Sequence, residues 1–204
     1  VEVNKKPVDN NYENIEIIVE ETQTGSFNVG LSLGTLDGVT FVTGLNEKNI
    51  NGSGRSVDFL INTNDNNKAF TLSTAEKFAL NNKVNHQYSL KYKENDFSKS
   101  KSYKLNTLSL DTNFSYLLAE NLNHKIGIGY SLKDYNITNS SSVATNVLNS
   151  SGENISFNFL NEFYINTLNS YIKPTRGHYI IAQTLFETPS SSTNGFVKNT
   201  VTLR

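Results

Sequence analysis

From Ser26 onward the chain alternates apolar and polar residues in one segment after another. In Ser26–Leu33, Phe27, Val29, Leu31 and Leu33 share one side, and Ser26, Asn28, Gly30 and Ser32 share the other. Val57–Asn64 sets Val57, Phe59 and Ile61 against Asp58, Asn62 and Asn64. Val84–Tyr92 sets Val84, Tyr88, Leu90 and Tyr92 against Asn85, Gln87, Ser89 and Lys91. Leu108–Tyr116, Lys125–Lys133 and Ile155–Ile165 repeat the pattern, which is the period of a β-strand with two unlike faces. Val39–Leu45, Lys68–Thr74, His178–Glu187 and Phe196–Leu203 carry it more weakly. Together these segments predict roughly ten strands from Gly25 to the end of the chain. Helical spacing is confined to Thr74–Leu80, enough for a turn or two.

Strand length separates two architectures that share this alternation. A soluble antiparallel sandwich alternates as well, but its strands run about 5–6 residues. Many of the segments here reach about 9–14 residues, near the roughly 9–11 needed to cross a membrane in a barrel wall. The connections point the same way. Asn46–Gly54 and Ala119–Asn123 read as modest turns at one end, whereas Ser98–Ser102 and Asn136–Glu153 read as longer polar loops at the other. The expected fold is therefore all-β, an antiparallel transmembrane β-barrel in preference to a soluble sandwich.

The segment before Gly25 differs in character. Val1–Val8 and Asn14–Glu21 read as two short strands around a turn at Asp9–Tyr12, followed by the polar link Thr22–Thr24. A domain boundary is expected there. Composition narrows the chemistry further. Eighteen basic against nineteen acidic residues leave a net charge of −1, so no overall field attracts nucleic acid. The absence of cysteine removes disulfides, thiolate metal sites and thiol nucleophiles. No methionine is present and the chain opens on Val1, so it reads as part of something longer. No apolar run approaches the roughly 20 residues of a membrane helix, which leaves a barrel open.

Three motifs then become specific. The run Glu21–Gly38 (ETQTGSFNVGLSLGTLDG) resembles the junction between the last polypeptide-transport-associated (POTRA) repeat and the first barrel strand in BamA-like outer-membrane assembly factors, a family that includes the bacterial surface antigens. NINGSG (Asn49–Gly54) is similar to that family's Asn-x-x-Gly-x-Gly turn, carried here by Asn49, Gly52 and Gly54. NTLNSYIKPTRG (Asn166–Gly177) is similar to its Asn-x-Leu-Asp-x-x-x-x-Pro-Thr-x-Gly turn, carried by Asn166, Leu168, Pro174, Thr175 and Gly177, with Asn169 replacing the acid. The resemblance implies that residues 1–22 are the last strands of a POTRA domain, 23–24 a hinge, and 25–204 the N-terminal part of a barrel of about sixteen strands. It implies bacterial outer-membrane localisation, with 1–22 in the periplasm. The remaining strands, and a lumen loop with an Arg-Gly-Phe tip, are expected beyond Arg204. An open sheet with two bare edges and an apolar belt is not expected to fold alone.

The function this resemblance implies is folding and insertion of client barrels by strand pairing at a weak seam. The seam strand would be Gly25, Ser26, Phe27, Asn28, Val29, Gly30, Leu31, Ser32, Leu33 and Gly34. Its glycines Gly25, Gly30 and Gly34 admit two explanations: a strand made labile, or room for curvature and neighbouring side chains. Implied partners are outer-membrane lipid, unfolded outer-membrane clients and accessory assembly lipoproteins. A translocation pore of the two-partner-secretion type is the alternative, and a soluble all-β binding module a third. Asp58, Lys91, Asp111, Lys125 and Glu162 fall on polar faces, where they would line a wet lumen. His86, His124 and His178 have no ligand spacing, so no metal or other cofactor is expected. No nucleophile–base pairing or phosphate loop occurs, and no enzymatic activity is expected.

Overall fold

The alternating segments become one continuous meander. The computed structural model describes residues 2–9, 12–18, 20, 22–35, 37–79, 83–170, 172–190 and 194–204. Strands β1 (Glu2–Asp9) and β2 (Tyr12–Ile18) form an antiparallel pair of their own. Val1, Asn10, Asn11, Val19 and Glu21, parts of the segments expected there, lie outside the described residues. The other ten strands are β3 (Gly25–Gly34), β4 (Gly38–Glu47), β5 (Arg55–Thr63), β6 (Asn67–Phe78), β7 (Val84–Asp96), β8 (Tyr103–Ala119), β9 (Leu122–Ile137), β10 (Gly152–Asn166), β11 (Tyr179–Glu187) and β12 (Phe196–Leu203). They form a ten-stranded antiparallel sheet in strict chain order, so each pairs only with its neighbours in sequence.

The central strands are longer than expected, reaching 17 residues in β8, 16 in β9 and 15 in β10. Polar residues such as Lys104, Asn106, Asp134 and Asn136 continue these strands where the apolar alternation has stopped. Thr74–Phe78 is not helical. It continues β6, with Thr74 opposite Tyr88 and Glu76 opposite His86; of the expected segment Ala79 is helical and Leu80 lies outside the described residues. Ladder bonds to two neighbours outweigh a short stretch of helical spacing. The sorting of connections by length is also looser than expected. The end near β2 carries the connections 48–54, 79–83, 120–121 and the longer 167–178, while the far end mixes the short connections 35–37 and 64–66 with the long 138–151.

Register assembles the apolar positions into rows. Phe27, Leu45, Phe59, Leu72, Leu90, Leu110, Tyr130 and Phe157 are successive cross-strand partners from β3 to β10. A parallel row, Phe70, Tyr92, Leu108, Leu132 and Ile155, lies beside it. A polar row, Lys68, Glu94, Asn106, Asp134 and Glu153, closes this band at the far end; at the other, Glu76 and His86 share a row with Phe114 and Ile126. On β6 the stretch from Lys68 to Glu76 spans about 27 Å at about 3.4 Å per residue. At a strand tilt of about 40° this is about 20 Å along the membrane normal, comparable to the roughly 25 Å apolar band of membrane barrels.

Burial is inverted relative to a soluble protein. Among the described residues no hydrophobic side chain is buried, whereas Ser89, Ser131, Ser150, Asn154, Ser156 and Glu187 are. The short helices Ile50–Gly52, Ser98–Lys101 and Thr145–Asn149 sit in connections between strands. An apolar face left open by water would cost about 25 cal/mol per Å². Lipid removes that cost.

Candidate functional site: the first strand and its turns

On the inner face the side chains opposite the apolar rows converge. The Lys91 ammonium lies 3.0 Å from the Asp111 carboxylate, which also accepts a bond from the Ser89 hydroxyl at 3.2 Å. Asp58 accepts from the Asn46 amide, and Glu162 from Gln183 Nε2 at 2.9 Å. Lys125 is the cross-strand partner of Glu162. All five charges singled out from the sequence thus occupy one face, lining or flanking a polar hollow of about 620 Å³. Two glycines missed as a feature form its floor. A Cβ on Gly127 would lie 2.2 Å from Asn113 Oδ1, and one on Gly129 would lie 2.4 Å from Asp111 Oδ1. The inner face is not wholly polar, since Leu60, Leu160 and Leu185 share it with these residues.

Strand β3 occupies one margin of the sheet. Its ten residues pair with β4 in unbroken register from Gly25 opposite Glu47 to Gly34 opposite Gly38, and all ten are exposed. With β12 it forms the two margins of the described sheet. The glycines divide. A Cβ at Gly30 would meet nothing within 4 Å, so close packing does not require glycine there. Gly25 would meet Glu47 Oε2 at 2.8 Å. That carboxylate also accepts from the Thr24 hydroxyl and, at 2.9 Å, from the Asn49 amide, so it ties the segment entering β3 to the first turn. Glu47 was missed in the sequence because its role depends on register.

The two turn motifs are built by their named residues. Asn49 Oδ1 accepts from the Gly54 amide at 2.6 Å, and its carbonyl accepts from the Gly52 amide at 3.2 Å. Gly52 and Gly54 take φ of +70° and +72°, in the left-handed region that glycine enters freely. In 167–178, Asn166 Oδ1 accepts from the Leu168 amide at 3.1 Å. Asn169 Oδ1 accepts from the Thr175 and Arg176 amides at 3.0 and 3.1 Å, and Asn169 Nδ2 donates to the Thr175 hydroxyl at 2.9 Å. Pro174 precedes this clamp, and Gly177 follows it with φ +94°. The turn thus needs an acceptor at 169 rather than a charge. Asn169→Asp is expected to keep the turn, because the Thr175 hydroxyl can donate to either carboxylate oxygen. Asn169→Ala leaves two amides without their acceptor and is expected to cost about 1–2 kcal/mol, read from denaturant unfolding of the full protein in lipid.

His86 and His124 lie on the outer face and His178 in the turn, so the structure does not bring the three together. Among the described residues no group of His, Asp and Glu is arranged to hold a metal ion.

A single meandering sheet, apolar outside and polar inside, is part of the wall of a transmembrane β-barrel. A family model described as the Omp85 superfamily domain matches residues 49–204, and the chain belongs to that superfamily of outer-membrane β-barrel proteins. The crystal structure of BamA from Haemophilus ducreyi lacking POTRA domains 1–3 is similar, with a TM-score of 0.71 and 22% identity. The match covers 93% of this chain and 39% of that one.

Proposed function

We propose that this chain forms the seam side of an outer-membrane assembly factor, in which the free edge of β3 receives the strands of client barrels. The observation that carries the reading is the strand itself: β3 opens the sheet directly after the β1–β2 pair, and all ten of its residues, Gly25, Gly30 and Gly34 among them, are exposed. A bare strand cannot rest in lipid, because each unpaired N–H or C=O costs several kcal/mol there. A client strand that adds to β3 has its backbone groups satisfied as it enters, and each further hairpin repeats the step. Transfer of the apolar face into hydrocarbon supplies the free energy, so no nucleotide is called for. The open surroundings of Gly30 support lability over steric need as the reason for glycine at that position, whereas Gly25 stands against Glu47. The role is assisted folding rather than covalent chemistry.

In this reading residues 1–22 are the end of a POTRA domain in the periplasm, 23–24 the hinge and 25–204 the barrel segment. Turn 167–178 then faces the periplasm, where accessory lipoproteins would meet it. Single cysteines placed from Ser26 to Leu33 in the full-length protein are expected to cross-link to the terminal strand of a client during assembly. Failure at every position, with the protein folded and active, would reject the seam role. The polar inner hollow also suits the conduit of a two-partner-secretion-type pore. A stable open conductance in planar bilayers together with absent client cross-links would select that alternative.

A further inference from the structure

Glu47 stands where the link ahead of the barrel, the first strand and the first turn meet. It ends β4, directly opposite Gly25, the first residue of β3. Its Oε1 accepts from the Thr24 hydroxyl in the link and, at 2.9 Å, from the Asn49 amide in the turn. Asn49 carries the tie onward, because its own side-chain oxygen accepts from the Gly54 amide at 2.6 Å, one residue before β5 begins. The other carboxylate oxygen lies over Gly25, where a Cβ would come within 2.8 Å of it. That oxygen ends a flexible side chain, so alanine at 25 would displace the carboxylate and leave the strand in place. Gly25 thus has a reason of its own: it seats the Glu47 carboxylate.

The strand that this acid borders needs holding. All ten residues of β3 are exposed, with glycine at its first, sixth and last positions, and 1–22 is attached to it through Thr22–Thr24. The ends of a ladder open before its middle, and glycine loses more freedom on pairing than any other residue. A hydroxyl-to-carboxylate bond is of the stronger, charge-assisted kind, and this one lies a single residue ahead of the first rung. We infer that Glu47 is a positioning residue for β3. Its bond to Thr24 pins the first residues of the strand in register on β4 and keeps motion of the link from peeling them away, so an incoming strand meets an ordered edge. That use rests on the reading of β3 as the strand that pairs with clients; the pinning itself does not.

The test compares the full-length protein in phospholipid vesicles with three variants. Thr24→Val removes the hydroxyl and leaves the Asn49 bond, Thr24→Ser keeps the hydroxyl, and Gly25→Ala pushes the carboxylate off its seat. Without client, backbone hydrogen exchange over 25–28 is expected to be about three- to tenfold faster in Thr24→Val and Gly25→Ala, unchanged over 31–34, and restored in Thr24→Ser. With client, a cysteine at Ser26 is expected to cross-link the client's terminal strand several-fold less in the two releasing variants, while one at Leu33 is unaffected. A general loss of stability would instead speed exchange along the whole strand and lower both cross-links together, and that result counts against the inference. Exchange over 25–28 that is unchanged in both releasing variants overturns the pinning. Faster exchange there with an unchanged ratio of the Ser26 to the Leu33 cross-link overturns its use in pairing. Cross-links absent at both positions in the unaltered protein would remove the client-strand reading, and the exchange result then decides the pinning by itself.

Discussion

Leu110→Arg is expected to destabilise the folded protein in lipid vesicles by about 2–4 kcal/mol, whereas Ser109→Arg, one residue away, is expected to cost far less. Leu110 is 50% exposed at the centre of β8, in the row that runs from Phe27 to Phe157. In water, a half-exposed leucine replaced by arginine would change little. In hydrocarbon the guanidinium must be dragged out of water or the bilayer deformed around it. Ser109 faces the other way, into the hollow that holds Lys91 and Asp111, where water and a carboxylate receive a cation. Denaturant unfolding of both variants, reconstituted in the same lipid, reads the difference directly. A cost of 2 kcal/mol is about thirtyfold in the folding equilibrium.

The second large effect is expected at a turn. Gly177→Ala should cost about 2–4 kcal/mol and should loosen 167–178, while Gly52→Ala should cost only about 1–2 kcal/mol. Both glycines have positive φ, +94° and +70°, so both substitutions force a side chain into a disfavoured region. Their surroundings differ. A Cβ at Gly177 would sit 2.1 Å from the Thr167 carbonyl oxygen, a backbone atom that cannot swing aside, whereas one at Gly52 meets nothing within 4 Å. Thr167 is itself fixed by its amide to the His178 carbonyl at 2.9 Å. Unfolding midpoints, with limited proteolysis of 167–178 in the same samples, measure both consequences.

These contrasts show which parts of the molecule could be read from the chain. The two-faced strands were legible because Phe27, Val29, Leu31 and Leu33, and their counterparts in later segments, follow a period that only a strand satisfies. Length favoured the membrane, and inverted burial agrees with it. Strand ends were less legible. The signal is apolar alternation, and it stops at the polar rows, whereas the hydrogen-bond ladder of β8 and β9 continues through Lys104, Asn106, Asp134 and Asn136. Thr74–Phe78 misled for the opposite reason, since a local helical spacing says nothing of Gln87 and His86 waiting across the sheet.

Contacts set by register stayed hidden. Neither the bond between Thr24 and Glu47, nor the leaning of Asn113 and Asp111 over Gly127 and Gly129, can be found before the strands are aligned. The histidines illustrate the same limit. Without ligand spacing they carried no message in the sequence, and only pairing of β7 with β8 and of β9 with β10 brings each onto a phenylalanine. The replaced acid at Asn169 is a case where geometry simplifies the question, because the turn uses an oxygen that asparagine also has.

A nitroxide scan of β8 tests the central claim most directly. Single cysteines from Leu108 to Phe114 in the membrane-embedded full-length protein, each spin-labelled, report collision with oxygen dissolved in lipid and with a water-soluble nickel chelate. Labels at 108, 110, 112 and 114 are expected to favour oxygen, and those at 109, 111 and 113 the chelate, alternating residue by residue. Seven labels that all favour the chelate, or that alternate in the opposite phase, would contradict a wall with lipid on one side and enclosed water on the other.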